Sequence, residues 1–202
     1  MSQVITVICG DGIGQEVIPE TVRLFKALNL PLEIQYAEAG FSTFEQCGTA
    51  LPDETLALCE NSDAILFGAT QSPMTKVEGY SSPILSLRKH FNLYANLRPA
   101  HQGDIDMLIV RENTEGLYSR IEHTENNGRT AIAQRIITAE ASERIVRVAC
   151  EQAMQRRKQL TIVHKANVLK ETCGLFRQSA LTITQNYPDL EVNEMLVDAC
   201  AM

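Results

Sequence analysis

No CxxC pair, no excess of basic residues and no apolar run of membrane-spanning length occur in this 202-residue sequence, and each absence closes off a class of function. The formal charge of -7 at pH 7 excludes a general affinity for DNA, RNA or an anionic membrane, which need a net basic surface. A local basic pocket for a small anion stays compatible with it. Six cysteines (Cys9, Cys47, Cys59, Cys150, Cys173 and Cys200) are scattered without metal-ligand spacing in a chain too large to need disulfide staples. They read as reduced thiols in a cytosolic setting. The opening residues, MSQVITVICGDG, enter a strand pattern directly, without a basic leader or a long apolar stretch, and this points to a cytoplasmic protein. No repeat, low-complexity tract or flexible linker interrupts the chain.

What is present is an alternation. Short β-branched or apolar runs recur at Val4–Cys9, Leu32–Tyr36, Ala64–Phe67, Leu93–Leu97, Met107–Val110, Thr161–His164 and Glu191–Val197, with longer segments of helical period between many of them. The clearest helix is Ala139–Met154, where Thr138 can cap the start, Glu140 suits the positive dipole end, and Ile145, Val148, Ala149 and Ala153 share a face. Further helices are expected at Gly14–Leu28, Pro83–Phe91 and Val168–Asn186. Strands alternating with helices indicate an α/β fold with parallel pairing, whose ligands gather at the C-terminal ends of the strands. The polar stretch Gly116–Gln134 breaks the rhythm. Its Asn126-Asn127-Gly128 turn signal, between Tyr118–Ile121 and Thr130–Ile137, predicts a β-hairpin arm suited to clasping a second subunit.

Several groups carry chemistry. Gly10-Asp11-Gly12-Ile13-Gly14 follows the first strand and opens a helix, as in an anion-binding loop or as in a plain tight turn. Arg88, Arg98 and Arg111 each follow a helix or end a strand. Converging guanidinium forks would bind an oligocarboxylate, and separate surface ion pairs are the alternative. The run Arg111-Glu112-Asn113-Thr114-Glu115-Gly116-Leu117-Tyr118 gathers polar groups at a strand end, although a tyrosine near a hairpin also serves packing. Lys165 directly follows the strand Thr161–His164, a place where a partly desolvated lysine can transfer protons. Asp198 ends the last strand, either as a cation ligand or as a helix N-cap.

In this order and spacing, Gly10–Gly14, Thr75–Pro99, RENTEGLYS (Arg111–Ser119), HKANVLK (His164–Lys170) and VDACAM (Val197–Met202) resemble the isocitrate, isopropylmalate and homoisocitrate dehydrogenase family over essentially the whole chain. The resemblance implies an isopropylmalate-dehydrogenase-like α/β fold in two lobes, 1–99 on the cofactor side and 100–202 for substrate and dimerisation. It implies NAD-dependent, metal-assisted oxidative decarboxylation of a malate-type 2-hydroxy acid in amino-acid biosynthesis, with Mg²⁺ or Mn²⁺ and a homodimer or higher oligomer. Arg88, Arg98 and Arg111 would hold the substrate carboxylates, Tyr118 would protonate the enol left by decarboxylation, and Lys165 would take part in removing the hydroxyl proton. Asp198 matches one of three metal-binding aspartates. Asn167 matches a position near substrate and nicotinamide, and Ala69 and Thr70 open a loop that matches one beside the cofactor.

Substrate choice in the family rests largely on the segment before the first arginine. Here its EGYSSPI wording resembles the homoisocitrate branch most, with Ser82 matching a substrate-contacting serine and Leu85, with Ile84, able to form an apolar wall. The Asn113–Gly116 form agrees, so the expected order is homoisocitrate, isocitrate, then 3-isopropylmalate. Relatives continue past the position of Met202 into a segment carrying the other two metal aspartates and the adenosine-binding loop, so the family fold is expected to be incomplete here. Related metal sites mix residues of two subunits, with Lys165 and Asp198 serving the neighbour. A non-catalytic, truncated or regulatory-type subunit of the same family is therefore the competing reading.

Overall fold

A computed structural model of the chain describes residues 2–75 and 77–202, so Lys76, inside the Thr75–Pro99 motif, lies outside the described residues. Two compact units result, Met1–Phe91 and Asn92–Met202.

The first unit is built on β1 (Gln3–Ile8), whose run of β-branched residues fits a pleated strand covered on both faces. β1 lies between β2 (Leu32–Ala37) and β3 (Ala64–Phe67), parallel to both. Because side chains alternate along a strand, Val7 packs with Ile18 and Val22 of α1 (Gly14–Ala27), whereas Ile8 packs with Ala37, Ala39, Cys59 and Leu87. Both strand residues are fully buried, each contributing about 1.5–3 kcal/mol of apolar transfer energy. The cluster around Ile8 draws in α3 (Asp53–Glu60) and α4 (Pro83–His90), and α2 (Phe41–Cys47) precedes them.

Neither α2 nor α3 was expected from the sequence. α3 has a local signal, Pro52 before Asp53 and Glu54, that a closer reading of the first turn would catch. α2 has none. It starts after Gly40, and no side chain at that position caps it.

The second unit starts with an antiparallel pair, β4 (Ala95–Gln102) and β5 (Ile105–Glu112), joined at Gly103 and longer than the runs that predicted them. β4 passes through residue 99 and pairs along its whole length with β5. β6 (Gly116–Glu125) and β7 (Thr130–Ile136) form the expected hairpin, with Asn126 and Asn127 at φ of 52° and 55° in the left-handed region that asparagine tolerates. α5 (Ala139–Met154) then leads to β8 (Gln159–His164), α6 (Thr172–Thr184), the parallel partner β9 (Glu191–Leu196) and the short α7 (Val197–Ala201). α/β alternation with parallel pairing is thus present in both units, alongside two antiparallel ladders.

Three local expectations shift. The segment from Val168 to Glu171 is a turn, with Val168 and Leu169 both donating to the Lys165 carbonyl, so α6 begins at Thr172. Val197 opens a helix instead of closing a strand. In α5 the buried face centres on Ile145, Val146, Cys150 and Ala153, while Val148 is only half-buried, because the helix packs against Ile162, Ala180, Ile183 and Leu190. Thr138 caps α5 as expected, accepting from the Ala141 amide at 3.2 Å. All six cysteines are unpaired, and burial pushes the Cys150 thiol up to about 11. Among the described residues no helix is long and apolar enough to cross a membrane.

Ile145→Ala removes buried volume from the centre of the second core and is expected to lower stability by about 2–5 kcal/mol, against about 1 kcal/mol for Thr138→Ala. Urea denaturation followed by circular dichroism measures both.

Candidate active site

The glycine loop after β1 is organised by Asp11. Its amide donates to the Ala69 carbonyl at 2.7 Å, and its buried carboxylate accepts from the amides of Phe41 (2.8 Å), Ser42 (3.0 Å) and Gln71 (2.9 Å) and from the Ser42 hydroxyl (2.5 Å). The carboxylate therefore caps α2 from 30 residues away and ties the loops after β1, β2 and β3 together at the C-terminal edge of the sheet. Burial pushes the acid upward, but the bonds from Ser42, Phe41 and Gln71 outweigh it and hold Asp11 below its ordinary value. Gly10 has a φ of 76°, and a Cβ there would meet the Ala69 carbonyl oxygen at 2.1 Å. The loop is thus a tight packed turn. Its following amides serve the loop itself, Gly14 donating to Asp11 and Gln15 to Gly12.

Ala69 is exposed and Thr70 half-buried just past the end of β3, at the edge where ligands of parallel sheets collect. Ser82 occupies the N-cap position of α4, yet its hydroxyl makes no capping bond there. Leu85 is half-buried, and Arg88 lies half-buried in the last turn of α4, where the dipole favours a cation. Tyr80 anchors this segment. Its hydroxyl donates to the Gln71 carbonyl at 3.0 Å, and its ring stands edge-on to Phe41 and Phe44, each at 5.4 Å. In this unit the loop held by Asp11 and the segment Tyr80–Arg88 are therefore mechanically linked.

In the second unit, Asn96 of β4 lies opposite Arg111 of β5, and Arg98 is two residues further along β4, so Arg98 and Arg111 project from the same face as diagonal neighbours. Arg98 donates to the Asn96 side chain at 2.9 Å, and Arg111 to that of Asn113 at 3.3 Å. The Arg111 guanidinium stands 5.5 Å from the Tyr118 ring centroid, a cation–π contact. Tyr118 sits in the bulged stretch of β6, where the register shifts between Gly116 and Ile121, and it is exposed rather than packed. Among the described residues Arg88, Arg98 and Arg111 form no ion pair with an acidic side chain.

The turn carrying this group hangs on Glu112, which sequence reasoning passed over. Its carboxylate accepts from the amides of Thr114 and Glu115 (both 2.7 Å), from the Thr114 hydroxyl (2.6 Å) and from Arg144 (3.1 Å). Burial raises this acid, and the bonds from Thr114, Glu115 and Arg144 bring it below its ordinary value. Arg144 also donates to Asn92 and lies 4.5 Å from the Tyr94 ring centroid. Glu115 accepts from the amide and hydroxyl of Thr138, joining the turn to the start of α5.

Lys165, directly after β8, pairs with Asp198 in the first turn of α7 at 2.6 Å. This bond from Lys165 holds the Asp198 carboxylate below its ordinary value, and Leu196 rather than Asp198 occupies the cap position. Asn167 is exposed in the turn that follows. Among the described residues no group of three or more His, Cys, Asp or Glu side chains could hold a metal ion. Mg²⁺ and Mn²⁺ prefer an octahedral shell of oxygens, so Asp198, already engaged by Lys165, does not make a site with the groups present. His90, His101 and His123 pair with Glu60, Asp106 and Glu125 at the surface.

Residues 4–202 match the family described as isocitrate/isopropylmalate dehydrogenase. Isocitrate/homoisocitrate dehydrogenase of Thermus thermophilus is 46% identical over 100% of this chain, and 3-isopropylmalate dehydrogenase of Archaeoglobus fulgidus is 43% identical over 98% of it. The chain spans 62% and 61% of the length of these two relatives. Isocitrate dehydrogenase of Methylococcus capsulatus superposes with a TM-score of 0.92 at 38% identity, covering 99% of this chain and 62% of that one.

Because the folded Asp11 acid lies below the 3.8 of an ordinary aspartate, its contribution to stability is complete above 3.8 and is lost as pH falls through the folded value. Asp11→Ala, which takes their shared acceptor from the amides of Phe41, Ser42 and Gln71, is expected to destabilise by about 2–4 kcal/mol near neutrality. The difference from wild type should shrink at about pH 3, as urea midpoints at the two pH values would record.

Proposed function

The chain belongs to the isocitrate/isopropylmalate dehydrogenase family, and from that premise we propose that it takes part in NAD-dependent oxidative decarboxylation of a malate-type 2-hydroxy acid. Homoisocitrate is the first choice of substrate, then isocitrate, then 3-isopropylmalate. The observation that carries the reading is the pair Arg98 and Arg111, on one face, free of acidic partners, with Arg111 against an exposed Tyr118. Guanidinium forks left open in this way are suited to bidentate capture of carboxylates, and Arg88 offers a third. The relatives' names cover all three acids, so the ranking rests on the EGYSSPI and Asn113–Gly116 wording.

In this reading Lys165 takes part in removing the proton of the substrate hydroxyl. Tyr118 hands its phenolic proton to the enol carbon left when CO₂ departs. Arg98 and Arg111 orient the carboxylates so that the carbon–carbon bond that breaks is held in place. Ala69 and Thr70 in the first unit, and Asn167 in the second, are each assigned by the resemblance to the nicotinamide dinucleotide, which when bound would accept the hydride from the carbinol carbon. Asp198, held by Lys165, is the residue that the resemblance would assign to a divalent-cation site. The expected lobes, 1–99 and 100–202, are assigned the cofactor-side role and the substrate and dimerisation role respectively, although the compact units divide earlier, between Phe91 and Asn92. The β6–β7 arm, exposing Leu117, Ile121 and Ile136, is the proposed clasp of a homodimer.

Reduction of NAD and NADP followed at 340 nm, a standard wavelength for the reduced nicotinamide, with Mg²⁺ and each of the three acids separately, tests the proposal. Turnover of homoisocitrate is expected, falling by about 10²–10⁴ in Tyr118→Phe. Absence of turnover with every acid from a folded sample would favour the competing reading, a non-catalytic subunit of the same family.

A further inference from the structure

We propose that His164 is a positioning residue that sets the loop carrying Lys165, by holding a single neutral tautomer between a backbone amide and a carboxylate. Its ring is nearly buried, with 8% of the side chain exposed. Nδ1 lies 3.1 Å from the Ala166 amide nitrogen, and Nε2 lies 3.2 Å from Glu194 Oε2. A backbone amide can only donate, so Nδ1 accepts and carries no proton. The proton of the neutral ring is then on Nε2, where it donates to Glu194. Arg177 fixes that carboxylate from α6 through both Nε and a terminal nitrogen, the latter at 2.8 Å, and with His164 holds it below its ordinary value.

The consequence falls on the residue in between. Lys165 lies between His164, at the end of β8, and Ala166, whose amide is pinned to the imidazole. The peptide that follows Lys165 is therefore pinned to the ring of the residue before it, and the lysine side chain meets Asp198 at 2.6 Å. The charged and titratable groups bearing on this arrangement are Glu194 of β9, Arg177 of α6, and Lys165 with Asp198 of α7. The bond from an amide two residues ahead to a side-chain acceptor is the pattern of an Asx turn, so asparagine should substitute where glutamine cannot. The functional weight of this device rests on the reading of Lys165 as a participant in removing the hydroxyl proton.

The full chain, labelled with ¹⁵N, gives the test. His164 ring resonances should show protonated Nε2 and unprotonated Nδ1 at neutral pH, and the Ala166 amide should be protected from hydrogen exchange. His164→Gln should speed that exchange by about five- to tenfold, and His164→Asn should restore it. With lysines ¹³C-methylated, the Lys165 signal in His164→Gln should move toward its position in Asp198→Asn. A protonated Nδ1, or Ala166 exchange and a Lys165 signal unchanged in His164→Gln, would overturn the proposal. These readings do not depend on turnover. The reading of the lysine itself is judged separately, by whether Lys165→Met abolishes activity, so either can fail alone.

Discussion

A carboxylate that gathers several hydrogen-bond donors is the constraint that organises three strand-end loops of this chain. Burying an ionised acid is expensive unless its lone pairs are filled, so a loop that fills them is held to nearly one geometry. Asp11 does this for the three loops at the edge of the first sheet and Glu112 for the turn after β5, while the more exposed Glu194 meets the side chains of His164 and Arg177 and so reaches the loop after β8 through the imidazole. None of the three is a candidate for chemistry. Each holds in place the backbone that presents one.

The same constraint explains how a chain with 25 acidic and 18 basic residues can keep arginines open. Acids are in excess, so bare guanidinium groups do not reflect a shortage of partners. The nearest acid to Arg111 in sequence, Glu112, is saturated by Thr114, Glu115 and Arg144, and Arg111 is left with the Tyr118 ring and the Asn113 amide oxygen. A neutral amide and an aromatic face orient a guanidinium without neutralising it, which keeps it available to an incoming carboxylate.

Strand direction supplies the rest. Ala69 and Thr70 follow β3, Arg111 nearly ends β5, Lys165 follows β8 and Asp198 follows β9. In a parallel sheet the C-terminal edge leaves loops free while helices cover the faces, so Ala69 and Thr70 share that edge of the first sheet and Lys165 and Asp198 that of β8 and β9, whereas Arg111 stands near the end of a strand in the antiparallel β4–β5 pair. In each unit the cores are conventional, so the variety lies in loops, where function concentrates.

The sequence by itself determined the elements whose signals are local. The β-branched run of β1, the Thr138 cap of α5, the Asn126-Asn127-Gly128 turn and the apolar β3 are all written within a few consecutive residues, and the motif order singled out Arg88, Arg98, Arg111, Tyr118, Lys165 and Asp198 as candidates. Only the tertiary structure decided which groups those residues meet. The cap of α2 is supplied from Asp11, the clamp of the 112–115 turn includes Arg144, and the partner of His164 is Glu194, each some 30 residues away. A hydrogen bond spanning that distance leaves no periodicity behind. It exists because folding brings the strand ends together, and a buried carboxylate is stable only when amides from several loops reach it at once.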